Sequence, residues 1–144
     1  MLGTIRTLDT LHQRDIHARI ERTVEKVAES AGATATVTIR RGYPVTNNDP
    51  ALTARMTPTL ARAARDGKAA VMAPVTGAED FSFFQQKIPG LYFFLGVTPD
   101  GTDPARAPKN HSPHFFADER ALPVGVRALT QLTLDYMAAP GITP

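Results

Sequence analysis

The stretch Lys109-Asn110-His111-Ser112-Pro113-His114-Phe115-Phe116-Ala117-Asp118-Glu119 holds the densest set of groups in this chain that can do chemistry: imidazole, amide, hydroxyl and carboxylate within a few residues. A neutral imidazole beside a stiff Ser-Pro step is a good metal donor, because the ring is held while its second nitrogen donates to a carboxylate or carbonyl. His111 is therefore a candidate ligand. A catalytic zinc centre takes about three protein ligands, so a loop histidine with an ordinary hydrogen bond is the plainer alternative. His114 follows across Pro113, an awkward spacing for sharing one ion. The second cluster is Gly77-Ala78-Glu79-Asp80-Phe81-Ser82. Adjacent carboxylates point apart in extended chain, so one of Glu79 and Asp80 could face a site while the other caps the turn opened by Phe81-Ser82-Phe83. Arg6 is the third candidate, since its planar fork can grip a carboxylate; an ion pair on a strand face is the commoner outcome. There is no G-x-S-x-G elbow, phosphate-binding glycine loop or H-E-x-x-H pair.

These groups must be carried by a framework, and its pattern mixes helix and strand. Residues 2–8 alternate as a strand that begins at the second residue with no lead-in, which points to truncation, because an open strand edge needs partners. Asp9 or Thr10 can cap a following helix whose apolar positions Ile16, Ile20, Val24, Val27, Ala28 and Ala31 share one face and which Gly32 ends. His12 and His17 lie off that face and read as solvent-facing. Residues 34–40 alternate again as a half-buried strand. Such a strand–helix–strand unit is half of a split βαβ sandwich and is too small to stand alone.

Residues 42–50 are turn chemistry and make a plausible crossover. A helix follows from Pro50 with Leu52, Met56, Leu60 and Ala63 inward, and Pro58 is expected to kink or interrupt it. A short apolar strand over 68–75 leads to the acidic cluster. One or two helical turns end at Pro89-Gly90, and Leu91 to Val97 read as a strand buried on both faces. After a proline-rich loop over 98–113, Leu122, Val126, Leu129, Leu132, Leu134 and Met137 space out a last helix that runs to Pro140-Gly141.

Composition excludes several classes. Hydrophobic residues make up 42% and charged residues 21%, which argues against disorder. The formal charge is 16 − 14 = +2, and the scattered Arg and Lys carry no aromatic interleaving, so nucleic acid is a poor fit. Zero cysteines exclude disulfides and thiolate metal sites. No apolar run reaches the roughly 18 residues of a membrane span, and no signal peptide is visible, so cytoplasm is the default.

Five motifs in order carry a resemblance: Gly3-Thr4-Ile5-Arg6-Thr7, Tyr43-Pro44 with Asn48-Asp49, Gly77-Ala78-Glu79-Asp80-Phe81-Ser82, Pro89 to Gly96, and Asn110-His111-Ser112-Pro113 to Phe116-Ala117-Asp118-Glu119. Together they resemble the C-terminal portion of the metal-dependent amidohydrolases that include hippurate hydrolase, N-acyl-amino-acid amidohydrolases and auxin-conjugate hydrolases. The resemblance implies an α/β (α+β) fold, with residues 1–43 as the closing half of a ferredoxin-like lid or dimerisation domain and 44–144 as the end of a catalytic domain binding two divalent ions, zinc or manganese. It makes His111 a metal ligand, sets Glu79 and Asp80 along the active site, and places Arg6 where a substrate carboxylate or partner subunit could be gripped.

The implied reaction is hydrolysis of the amide of an N-acyl amino acid or small peptide, with metal-polarised carbonyl and water and a glutamate moving the proton. The family's early histidine motif, bridging acid and glutamate base precede the part resembled here. No catalytic residue is therefore expected in this chain, which should need a complementing N-terminal segment or a homodimer partner. The alternative is a non-catalytic dimerisation module derived from such an enzyme, its first strand completing a partner's sheet.

Overall fold

The computed structural model describes residues 1–138, so the predicted helix end at Pro140-Gly141 lies outside the described residues. Four α-helices form: α1 (Thr10–Ser30), α2 (Pro50–Ala63), α3 (Phe81–Gln85) and α4 (Leu122–Ala138), the last led in by a 3-10 turn at Glu119–Ala121. The chain makes two compact units. One joins Met1–Asp49 to Met72–Tyr92; the other joins Pro50–Val71 to the residues from Phe93 onward.

In the first unit α1 is closed at both ends by local chemistry. Asp9 sits in extended backbone and its Oδ1 accepts the His12 N–H at 2.7 Å, which satisfies one orphan donor of the first turn. At the other end the Ala33 N–H reaches the Ala28 carbonyl at 2.9 Å and the Gly32 N–H reaches Glu29 at 3.0 Å. Gly32 takes φ +65 there, the left-handed step of a Schellman closure that a Cβ would oppose. Surface pairs Arg19–Asp15 (2.7 Å) and Lys26–Glu29 (2.6 Å) line the wet side. The sheltered face differs from expectation. His17 is buried beside half-buried Ile16 and Ile20, whereas Val24 and Val27 are exposed. Shelter is confined to the first half of the helix plus Ala28.

In the second unit α2 and α4 pack antiparallel, with Met56, Thr59 and Ala63 buried on α2 and Ala128 on α4. Small residues let the two backbones approach, and polar contacts fix the register. Thr59 Oγ1 donates to Asp135 Oδ2 at 2.5 Å, and Arg62 pairs with the same carboxylate. The Arg127 guanidinium donates to the Ala63 carbonyl at 2.6 and 3.2 Å, a cation at the negative end of α2. Arg55 lies 4.6 Å over the Tyr136 ring. Gly125 gives room for Leu95, whose Cδ2 would stand 2.9 Å from a Cβ there.

Two expectations change here. Pro58 does not end α2, which runs through it. Both Pro58 and Ala54, whose carbonyl loses its bond, are exposed, so water can take the freed acceptor. Among the described residues no strand forms over 2–8, 34–40, 68–75 or 91–97. The sheet half of the α/β expectation, and with it the ferredoxin-like lid, is not formed within these residues. The alternation itself survives: Ala35, Val37 and Ile39 are half-buried while Thr34, Thr36, Thr38 and Arg40 are exposed. Side-chain alternation needs only a sheltered face, whereas a strand needs a neighbour for its N–H and C=O groups. No helix among the described residues is long and apolar enough to cross a membrane.

Candidate active site

Arg6, Glu79 and Asp80 fall in the first unit and His111 in the second. Arg6 stands on the extended segment before α1, and its Nη1 donates to the Thr76 carbonyl at 2.6 Å. That bond ties it to the approach to the acidic motif, three residues before Glu79. Among the described residues no carboxylate pairs with it, and a backbone carbonyl stands where an ion pair was expected.

The acidic motif turns into α3. The Ser82 hydroxyl donates to the Glu79 carbonyl at 2.5 Å and the Ser82 N–H to the same oxygen at 3.2 Å. Ser82 is wholly buried, so Glu79 begins a turn whose backbone is fully specified. Asp80 holds the N-cap position with αR backbone and makes no side-chain capping bond. The capping alternative for Asp80 is thereby removed, and its carboxylate is exposed. Glu79 is half-buried and lies close enough to the Tyr92 phenol to bear on its ionisation. Burial pushes that phenol above its ordinary value, and Glu79 and Asp80 push it further, since a phenolate there would face two carboxylates.

Tyr92 is held by a side chain that imitates a neighbouring strand. Asn48 Oδ1 accepts the Tyr92 N–H at 2.7 Å, and Asn48 Nδ2 donates to the Tyr92 carbonyl at 2.7 Å. Gln85 Nε2 donates to Asn48 Oδ1 at 3.1 Å, Gln85 Oε1 accepts the Asn47 N–H at 3.1 Å, and the Asp49 N–H reaches the Gly90 carbonyl at 3.0 Å. Gly90 is buried, and a Cβ there would lie 2.6 Å from Gln85 Cγ and 3.2 Å from the Phe81 ring. The predicted stop at Pro89-Gly90 is thus also a point of close approach.

His111 sits in a turn closed by the Ser112 N–H to the Lys109 carbonyl at 3.0 Å. It is the one non-glycine among the described residues with positive φ, at 71. A side chain held in that region costs on the order of 1–3 kcal/mol, and such outliers cluster at functional sites. The residue is exposed, and its imidazole makes no hydrogen bond among the described residues. Ser112 Oγ accepts the His114 N–H at 3.2 Å, while Asp118 bonds back to the Val97 carbonyl at 2.8 Å and closes the loop. The Arg120 side chain and backbone N–H hold the Asp118 carboxyl down at about 2.

Among the described residues no group of three or more His, Asp and Glu side chains could hold a metal ion. A lone exposed imidazole does not fit a two-metal centre, so these residues do not build one by themselves.

The match that decides the family runs almost end to end: residues 3–135 match the peptidase family M20/M25/M40. The chain belongs to that family. Its M20 relatives include thermostable carboxypeptidase 2 of Saccharolobus solfataricus, 36% identical over 94% of this chain and 34% of that protein. The IAA-amino acid hydrolase ILR1-like 4 of Arabidopsis thaliana is 31% identical over 94% of this chain and 31% of its own length. The N-acetyldiaminopimelate deacetylase of Limosilactobacillus fermentum is 32% identical over 89% and 32%. The chain spans about a third of the length of the curated relatives it matches. No solved structure matches it.

Two residues that hold the segment beside the acidic motif were missed by residue-by-residue reasoning. Asn48 reads as turn chemistry and Tyr92 as a core aromatic. The available signal was their presence in two of the ordered motifs, Asn48-Asp49 and Pro89 to Gly96.

Proposed function

We propose that this chain supplies part of the site of an M20 amide hydrolase acting on N-acyl amino acids or small peptides, with Arg6, Glu79 and Asp80 lining it and His111 as one metal ligand. The observation that carries the reading is the family match over residues 3–135, supported by relatives named for hydrolysis of amide-linked amino acids and peptides. In this reading residues 1–43 belong to a ferredoxin-like lid or dimerisation domain and 44–144 to a catalytic domain, with the cytoplasm as compartment. The extended segments over 2–8 and 34–40 pair when strands from outside these 144 residues, on the same or another polypeptide, lie against them. The remaining ligands for zinc or manganese and the general base come from there too. Arg6 keeps guanidinium donors beyond Nη1 for a substrate carboxylate.

The test combines the purified chain with the first two-thirds of thermostable carboxypeptidase 2 and follows hydrolysis of N-benzoylglycine with manganese or zinc, counting bound ions by elemental analysis. We expect at most one weakly held ion on the chain alone, none in His111→Ala, and hydrolysis only in the combination, falling at least about 100-fold in His111→Ala. Hydrolysis that survives His111→Ala sinks the reading.

A second reading, a non-catalytic dimerisation module, is favoured by the uncovered apolar stripe on α4: Leu122, Val126, Leu129 and Met137 are 54–70% exposed. It requires a metal-free dimer that His111→Ala leaves intact.

A further inference from the structure

We propose that Arg120 is a positioning residue for His111: by bridging Asp100 and Asp118, the two ends of the loop that carries the imidazole, it sets where that loop stands. The inference rests on the reading of His111 as a metal ligand.

Four charged groups form a ladder within the second unit. Arg65, just beyond the end of α2, donates to both oxygens of Asp100 at 3.1 and 3.4 Å. Arg120 Nη1 stands 3.3 Å from the same Asp100 Oδ2. On its other side the Arg120 fork closes on Asp118, with Nε 3.0 Å from each oxygen and Nη2 2.5 Å from Oδ2. Arg120 lies in the 3-10 turn that leads into α4, so both packed helices hold the base of the loop. Residues 101–117, His111 among them, run between the two carboxylates.

Single exposed ion pairs contribute little, but bidentate forks and networks are the exceptions, and the Asp118 side chain is only 13% exposed. The Asp118 N–H also closes the loop, on the Val97 carbonyl at 2.8 Å. One bond is a hinge about which a loop can swing. The second attachment, at Asp100, removes that swing. Within residues 101–117 the hydrogen bonds are local: the Ala105, Arg106 and Ala107 N–H groups turn back to Asp103, and that of Ser112 to Lys109. Pro104, Pro108 and Pro113 fix their own φ. The loop is therefore stiff within itself and held at its base, so a change at the base is carried to the His111 turn. The bridge fixes the place of that turn and leaves the ring free to rotate.

The test measures N–H residual dipolar couplings of the full chain in a stretched polyacrylamide gel, comparing residues 109–115 with α2 and α4. In the wild type one alignment should describe all three. In Arg120→Ala the couplings over 109–115 should fall by about a third or more, the step from rigid to flexible backbone, while those of α2 and α4 hold. Arg65→Ala, which leaves Arg120 on both carboxylates, should lower them less. Arg120→Lys keeps the charge but not the fork and should recover part of the loss. About 1 M sodium chloride should loosen the wild-type loop and leave Arg120→Ala unmoved, a response that apolar packing would not give. If Arg120→Ala also disturbs α2 and α4, Asp100→Asn, a loop carboxylate outside the helices, decides by the same criterion. Unchanged couplings over 109–115 overturn the proposal, as does an Arg65→Ala effect equal to that of Arg120→Ala. No ion or substrate enters the measurement. Hydrolysis that survives His111→Ala therefore removes the metal-ligand reading while the bridge stands, and unchanged couplings remove the bridge while that reading stands.

Discussion

The acidic segment and the imidazole loop are held by opposite means. Glu79 stands in a turn backed by a buried serine, and the backbone of nearby Tyr92 is gripped by Asn48, 44 residues away, which Gln85 bonds across 37 residues. His111 hangs on a turn whose bonds span two or three residues, with its backbone in the left-handed region and its ring exposed. Long-range polar contacts cost chain entropy to form, and once formed they leave the group little freedom. Short-range turns are cheap and leave the side chain free to rotate. The first arrangement suits a group that orients a substrate before it arrives. The second suits a ligand that is fixed only when an ion and its other ligands are in place.

The comparison can be broken most directly at Asn48. Asn48→Ala removes three hydrogen bonds, two of them to the part-buried backbone of Tyr92. We expect a loss of about 2–4 kcal/mol by urea denaturation, with faster hydrogen exchange at the Tyr92 amide. A loss under about 0.5 kcal/mol would mean that the clamp holds nothing.

His111→Gly probes the other side. Glycine takes φ 71 freely, so relief of strain should make the variant neutral to about 1 kcal/mol more stable in the same assay. Destabilisation by more than about 1 kcal/mol would show that the imidazole is anchored after all, and the contrast between the two segments would collapse.

The smallest effect is expected at Asp118, which closes the loop. Its carboxyl titrates at about 2 when folded, below its ordinary value, because Arg120 favours the ionised form. A depressed folded value means stability that is fully present above the ordinary carboxylate range and is lost as pH falls toward about 2. Wild type and Asp118→Asn should therefore converge in thermal midpoint between about pH 4 and 2, and high salt should shrink the gap, since the Arg120 side of the pair is exposed. Equal midpoints at all pH values would remove the ion pair from the loop's support.

How much of this was legible depends on the range of the interactions. Asp9, Gly32 and Pro50 mark helix ends by forces acting within one turn, and α1 and α2 begin and end beside them. The ordered motifs placed the chain in its family and pointed to Glu79 and His111 as the groups to watch. Pro58 left a kink and a break both open, and α2 is not broken there, because whether a proline ends a helix depends on what happens to the carbonyl four residues back. Asp80 was open between cap and site: its position is right for a cap, yet the Ser82 and Phe83 N–H groups go to the Glu79 and Asp80 carbonyls, and its side chain makes no capping bond. His17 was placed on the wet side by periodicity, but shelter along α1 follows what lies against it and covers only part of its length.

By itself, then, the sequence determined the four helices, the turns between them and the motif order, since caps, glycines and apolar spacing act on neighbours that the chain cannot avoid. The tertiary structure alone decided that Asn48 clamps the Tyr92 backbone, that Arg6 reaches the Thr76 carbonyl, that Arg127 closes α2, and that no strand forms over the alternating segments within residues 1–138. Each of those outcomes depends on which distant group arrives at a given backbone N–H, carbonyl or carboxylate, and that is a property of the folded arrangement rather than of any local run of residues.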